Sequence, residues 1–223
     1  MKIIAHIYTD FPQKFGIPRQ SGLVKELTGR IVFTPEFRNA DALRGIEGYD
    51  YLWLLWKFEG VERDTWSPTV RPPRLGGETR MGVFATRSPF RPNPIGLSSV
   101  RLEAVEQTEE GMTLVVSGVD LRDGTPIYDI KPYLAYADSH PDARSGFAEE
   151  RAKYELTVIF PENLLNQVPA EKQKALIEVL KQDPRPAYQE DEKRIYGVAF
   201  AGLNVRFCVK EGMLTVVEVE KLG

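Results

Sequence analysis

Cysteine occurs once in the 223 residues, at Cys208, and histidine twice, at His6 and His140. A disulfide framework is therefore excluded, and a zinc cluster of ordinary Cys and His composition cannot be assembled. No apolar run approaches the roughly 20 residues of a membrane-spanning helix. The stretch from Met1 to Tyr8 has no long apolar core leading to a small-residue cleavage site, so a soluble, cytoplasmic protein is the expectation. No G-x-G-x-x-G follows a strand, which leaves a Rossmann dinucleotide site unsupported. Gly77 and Gly82 have the glycine spacing of a phosphate-binding loop, but Val83 and Phe84 stand where Lys and Ser or Thr are required. G-x-S-x-G is absent, and Ser139 and His140 are adjacent rather than set on a nucleophile elbow. Cys208 lies in an alternating apolar run, which reads as a buried structural thiol.

Helical periodicity is also scarce, which argues against alternating strand and helix units. With 42% hydrophobic and 27% charged residues, the chain can nevertheless bury a core. Short β-branched and aromatic runs cover Lys2 to Tyr8, Arg30 to Thr34, Tyr51 to Phe58, Gly82 to Thr86, Ile95 to Val105, Met112 to Val119 and Tyr154 to Phe160. Glu106 to Gly111 reads as a hairpin connection ending in a glycine with positive φ. Tyr51 to Trp56 is apolar without alternation, which fits a strand covered on both faces or lying at an oligomer contact. The pattern predicts a mainly β fold: a β-barrel over 1–150, not a Rossmann fold, followed by a small α+β domain over 155–223. In the latter the spacing predicts a helix over Pro169 to Lys181, stopped by Asp183-Pro184-Arg185-Pro186. Two strands then follow at Ile195 to Phe200 and Asn204 to Val209, and a hairpin through Glu211-Gly212 leads into Met213 to Val219.

The net charge of −3 speaks against general affinity for nucleic acid. Its distribution is uneven. From Arg63 to Arg101 there are seven arginines and no lysine against Asp64 and Glu78, a local excess of five positive charges over an otherwise acidic chain. Arginine recognises carboxylate and phosphate with paired hydrogen bonds and stacks on bases. Within this segment Arg87-Ser88-Pro89-Phe90-Arg91-Pro92-Asn93-Pro94-Ile95-Gly96-Leu97-Ser98 carries three prolines, so the loop is stiff and pre-positions its polar groups. A second segment, Asp120 to Tyr133, holds three aspartates, Lys131 and two tyrosines around the Asp123-Gly124 turn. Such a set could bind a cationic ligand and move a proton. Asp120 and Asp123, taken alone, read as turn stabilisers; Asp129 and Lys131, inside a strand, do not. A third segment, Gly16 to Gly22, offers Arg19 and Gln20 from a glycine-bounded loop.

Together these segments resemble the TsaA-like, or TrmO, family of tRNA methyltransferases. The resemblance rests on Pro18-Arg19-Gln20, on Arg71-Pro72-Pro73-Arg74-Leu75-Gly76-Gly77, on Arg87 to Ser98, and on Asp123-Gly124-Thr125-Pro126 with Asp129-Ile130-Lys131-Pro132-Tyr133. It extends through Asp183-Pro184-Arg185-Pro186-Ala187-Tyr188, Tyr196-Gly197 and Asn204-Val205, and so covers nearly the whole chain. Ala5 and Thr9-Asp10 depart from it, standing where the family more often has Gly and Ser-Pro.

The resemblance implies methyl transfer from S-adenosylmethionine to N6 of threonylcarbamoyladenosine at tRNA position 37, by a homodimer with its sites near the subunit contact and with no metal or membrane. By motif position it implies cofactor contacts from Pro18, Arg19, Gln20, Glu59, Gly60, Arg87, Leu97, Asp123, Gly124, Thr125 and Pro126. The C-terminal domain would assist tRNA binding. Asp129 is the candidate base or orienting group, Tyr133 the next, and Lys131 the candidate partner of a threonyl carboxylate or phosphate. Two other readings use the same residues: an RNA-binding module built on the arginines with Trp53, Trp56 and Trp66, and a barrel enzyme for a small anionic metabolite.

Overall fold

The structure, a computed structural model, describes residues 1–222 apart from 62–64, 73–74, 76–78, 152–153, 186–190 and 193. Of the segments singled out above, Arg63, Asp64, Pro73, Arg74, Gly76, Gly77, Glu78 and Pro186-Ala187-Tyr188 lie outside the described residues.

Strands β1 (Ala5–Thr9), β2 (Thr28–Phe33) and β3 (Tyr51–Lys57) are followed by a short pair, β4 (Thr69–Val70) and β5 (Met81–Gly82). After these come β6 (Ile95–Thr108), β7 (Gly111–Ser117) and β8 (Thr125–Pro132). Six of them close a barrel in the order β1-β2-β7-β6-β3-β8, every neighbour antiparallel. Closure depends on the 14-residue β6, whose first half pairs with β3 and whose second half pairs with β7. A register shift between Leu102 and Ala104 bends the strand from one partner to the other, as bulges do where a barrel turns.

The unbroken apolar run of β3 turns out to have two different faces. Leu52, Leu54 and Trp56 point into the barrel with Ile7, Ile31, Val100, Leu114, Val116 and Ile127. Tyr51, Trp53 and Leu55 face outward and stay partly exposed. The hairpin between β6 and β7 closes on Gly111, with φ of 96°, as its sequence predicted. Gly82 to Thr86 differs from the strand expected there. Only Met81–Gly82 pairs, and Val83–Ala85 forms a 3-10 turn, because the partner strand begins after Pro68, which has no N–H to extend the ladder.

The rest of the chain contributes α1 (Ala135–Asp138), β9 (Thr157–Ile159), α2 (Glu162–Leu165), α3 (Ala170–Lys181), β10 (Tyr196–Phe200), β11 (Leu203–Lys210) and β12 (Met213–Lys221). The sheet order is β10-β11-β12-β9, with β9 parallel to β12. Pro169 precedes α3, whose Ala175, Leu176, Val179 and Leu180 are buried on one face. Cys208 is half-buried rather than buried, since on β11 it alternates with the buried Phe207 and Val209.

The barrel and this second sheet share one apolar core. The connection after β1 is clamped onto the second sheet. The Phe11 and Phe200 rings lie 5.2 Å apart, the Ala201 amide donates to the Asp10 carbonyl at 2.9 Å, and Lys172 Nζ reaches the Asp10 carboxylate at 2.6 Å. Gly16, with φ of 92°, packs so tightly that a Cβ there would lie 2.3 Å from Val198 Cγ2. Truncating either ring would open a cavity between the two units. Phe200→Ala is expected to lower unfolding free energy by about 3–5 kcal/mol in denaturant titrations, with barrel and second sheet still unfolding in one transition; two separated transitions would contradict the shared core.

Candidate active site

The antiparallel register sends three long connections to the same end of the barrel. Thr9 lies opposite Gly29, Ser117 opposite Thr28, Lys57 opposite Ile95 and Ile7 opposite Thr125. The connections 10–27, 58–94 and 118–124 therefore all leave and rejoin the barrel at one mouth. Between them is a cavity of about 730 Å³, in the size range of sites that enclose small organic ligands.

The floor of the cavity is a hydrogen-bonded relay. Trp56 Nε1 donates to Ser98 Oγ at 2.9 Å, and Ser98 Oγ donates to Asp120 Oδ1 at 2.6 Å. Ser98 is fully buried. The Trp56 indole can lie across the mouth only because the residue opposite it in β6 is Gly96, where a Cβ would come within 2.2 Å of the ring. Phe58 packs on the same indole, with ring centroids 4.2 Å apart. Burial pushes the Asp120 carboxyl up to about 6, against the opposing pull of the Ser98 hydroxyl, the backbone amides of Asp120 and Ser21, and the positive charge of Arg87.

The walls are cationic. Lys14, Arg19, Lys57, Arg87, Arg91 and Arg122 line the cavity, and among the described lining residues only Glu59 and Asp120 are acidic. Glu59 ties the three connections together: its carboxylate takes Arg122 Nη2 at 2.7 Å and its carbonyl takes Lys14 Nζ at 2.5 Å. Arg87 donates to the Gln20 side-chain oxygen, joining the proline-rich loop to the Gly16–Gly22 loop. Arg91 turns inward on its own loop, where Nη1 donates to the Thr86 carbonyl at 2.7 Å. The described arginines of this segment thus do not form one continuous surface. Arg80 bonds Thr69 Oγ1 at 3.1 Å, and Arg101 sits far along β6, 3.8 Å from Glu103.

Of the residues singled out from sequence, Pro18, Arg19, Gln20, Glu59, Gly60, Arg87, Leu97 and Thr125 meet around the cavity. Asp123 and Gly124 form the turn behind Thr125. The Asp123 carboxylate accepts from the Thr9 amide at 2.9 Å, and the Gly124 amide donates to the Ile7 carbonyl at 2.9 Å. Pro126 is buried opposite His6. Asp129, Lys131 and Tyr133 gather elsewhere, on the outer face of the barrel. Lys131 Nζ lies 2.9 Å from Asp129 Oδ2, and the Tyr133 ring packs against Trp53 and Tyr51 at 5.6 and 6.2 Å. Asp129 is in register with Leu55, and Leu55 with Leu97. Asp129 is thus two strands from the cavity-lining Leu97, roughly 10 Å at ordinary strand spacing. Sequence reasoning missed Phe58 and Arg122 as parts of the site, read Asp120 by itself as a turn stabiliser, and placed Trp56 only in the RNA-binding alternative. Among the described residues no group of three His, Cys, Asp or Glu side chains could hold a metal ion.

A family model described as the tRNA-methyltransferase O N-terminal domain matches residues 6–139, and one described as the TrmO C-terminal domain matches residues 153–222. The tRNA (adenine(37)-N6)-methyltransferase of Escherichia coli (strain K12) is 43% identical over 97% of this chain and 96% of its own. A protein of Pyrococcus abyssi described as a probable S-adenosyl-L-methionine-binding protein is 37% identical over 66% of this chain and 74% of its own. The crystal structure of TrmO from Pseudomonas aeruginosa superposes with a TM-score of 0.78 at 36% identity, covering 98% of this chain and 94% of that one.

A carboxyl group protonated more readily in the folded chain than in the unfolded one subtracts stability as pH rises from about 4 to about 6, and the cost persists at pH 7. For Asp120 this cost is at most about 3 kcal/mol. Asp120→Asn keeps an acceptor for Ser98 and removes the charge. Its melting temperature is expected to exceed that of the wild type at pH 7 and to match it at pH 4; a lower value at pH 7 would show that the ionised carboxylate holds the mouth together.

Proposed function

The chain belongs to the tRNA-methyltransferase O family, and from that premise we propose that it transfers a methyl group from S-adenosylmethionine to N6 of adenosine 37 in tRNA, on the threonylcarbamoylated nucleoside. The observation that carries the reading is the barrel-mouth cavity, which places guanidinium groups, an apolar wall and a desolvated carboxylate around one space of about 730 Å³. That donor set fits a ligand with a carboxylate at one end, an adenosine at the other and positive charge between. When bound, S-adenosylmethionine supplies a methyl group already activated for transfer.

Arg19, Gln20 and Arg87 would hold the carboxylate, with the Arg87–Gln20 contact already orienting two of the three. Pro18, Glu59, Gly60, Leu97 and the turn from Asp123 to Pro126 would hold the adenosine through backbone groups and apolar contact. The stiff loop from Arg87 to Leu97 limits how much order must be created on binding.

N6 of a carbamoylated adenosine is a poor nucleophile, because its lone pair is delocalised into the ring and the carbonyl, so its proton must be removed as it attacks. Asp129 would take that proton, with Tyr133 beside it, and Lys131 would hold the threonyl carboxylate or a phosphate. The exposed strip next to this cluster supports a homodimer. Leu97 is 55% and Tyr51 42% exposed, with Trp53 and Leu55 between them on the outer faces of β6 and β3. A second copy packed there would bury the strip and join the Asp129 cluster to the cavity rim. Residues 155–223 would assist tRNA binding, and the cytoplasm, where tRNA is modified, would be the site of action. No helix among the described residues is long and apolar enough to cross a membrane.

Nucleoside mass spectrometry of tRNA from a deletion strain, after incubation with protein and S-adenosylmethionine, is expected to show the N6-methylated threonylcarbamoyl nucleoside. Absence of the product would sink the reading. Asp129→Asn should slow single-turnover methylation about 100-fold or more at saturating tRNA and donor, and an unchanged rate would remove Asp129 as the base. Binding of tRNA should weaken only modestly with added salt, as for a few phosphate contacts.

A further inference from the structure

Asp120 is the lining carboxylate whose partner on the ligand the reading above leaves unnamed. It sits at the floor of the cavity, and its described hydrogen-bond partners are the Ser98 hydroxyl and the backbone amides of Asp120 and Ser21, all of them neutral. The charged groups that face it around the cavity are Lys14, Arg19, Lys57, Arg87, Arg91, Arg122 and Glu59. Several of these are engaged with one another or with main chain: Arg122 with Glu59, Lys14 with the Glu59 carbonyl, Arg91 with the Thr86 carbonyl, and Arg87 with Gln20.

A turn needs no charge at this position. An asparagine would still accept the Ser98 hydroxyl and would avoid the cost of desolvating an ion. An anion kept at the floor of a pocket, with a buried serine aimed at it and that serine fixed by an indole N–H, is pre-organised for a cation arriving from outside. We propose that Asp120 is the counter-ion of the methyl donor, binding a cationic group of its methionyl end opposite the arginines that take its carboxylate. The inference rests on the methyltransferase reading. The donor carries two such groups, an ammonium and a sulfonium, and either offers Asp120 the same chemistry. If the partner is the sulfonium, the contact also favours the charged donor over the demethylated product, whose sulfur is neutral, and so promotes release after transfer.

The test is calorimetric titration of the full-length wild type and Asp120→Asn with S-adenosylmethionine and with S-adenosylhomocysteine. Wild-type protein that binds neither ligand would overturn the methyltransferase reading and this proposal with it. With wild-type binding in hand, Asp120→Asn is expected to weaken S-adenosylmethionine at least about tenfold at pH 7.5. An equal loss for S-adenosylhomocysteine assigns the ammonium, and a loss confined to S-adenosylmethionine assigns the sulfonium. Affinity within about twofold of wild type would overturn the proposal. A second measurement needs no variant. At pH 6, wild-type protein should release about half a proton on binding S-adenosylmethionine, read from the dependence of the binding enthalpy on buffer ionisation heat, because the cation drives the half-protonated Asp120 to its ionised form. Absence of proton release at pH 6 would count against Asp120 as the counter-ion.

Discussion

Closure of the six-stranded barrel in an all-antiparallel register is the constraint on which the rest of this molecule depends. With every neighbour antiparallel, alternate strands end at the same rim, so the connections after β1, β3 and β7 have no choice but to meet there. The opposite rim receives the two-residue turn between β6 and β7 and the short 3-10 turns after β2. One end of the barrel thus carries the short turns and the other the cavity. The bulge in β6 serves both ends, because it lets a single strand run from Leu97 at the mouth to Thr108 at the far turn.

The charge arrangement at the mouth follows from the same geometry. Arginines reach the cavity from different connections and are fixed by different partners, so their positions are set before any ligand arrives. Asp120 is the exception in sign and in cost. Its carboxyl pays for burial without gaining an ion pair as close as the one Arg122 makes with Glu59. Sites that hold such a group commonly trade stability for recognition.

Much of this architecture was legible in the residues themselves. Local patterns survive folding when the interactions behind them are local: α3 after Pro169, the Gly111 hairpin and the β11–β12 turn with Glu211 and Gly212 at φ of 50° and 76° all stand where the sequence predicted them. The stiff loop from Arg87 was legible for a similar reason, since prolines act on their immediate neighbours. Asp120 was read as a turn residue because the Asp123-Gly124 signal lies three residues away. Its actual environment is made by Ser98 and Trp56, distant in sequence and brought near only by closure of the barrel. Gly96 is a similar case, its need for glycine coming from an indole 40 residues earlier. Net charge was uninformative because the cavity collects cations from segments that the whole-chain sum averages against an acidic remainder.

The clamp between Phe11 and Phe200 has a consequence for the order in which the molecule is made. During synthesis the six barrel strands have all emerged once Pro132 is free of the ribosome, and their pairings involve no later residue. The connection bearing Pro18, Arg19 and Gln20 still lacks its support at that stage, since Val198, Phe200 and Ala201 are yet to be translated. The mouth of the barrel therefore matures last, its cavity supported only when nearly all of the chain exists.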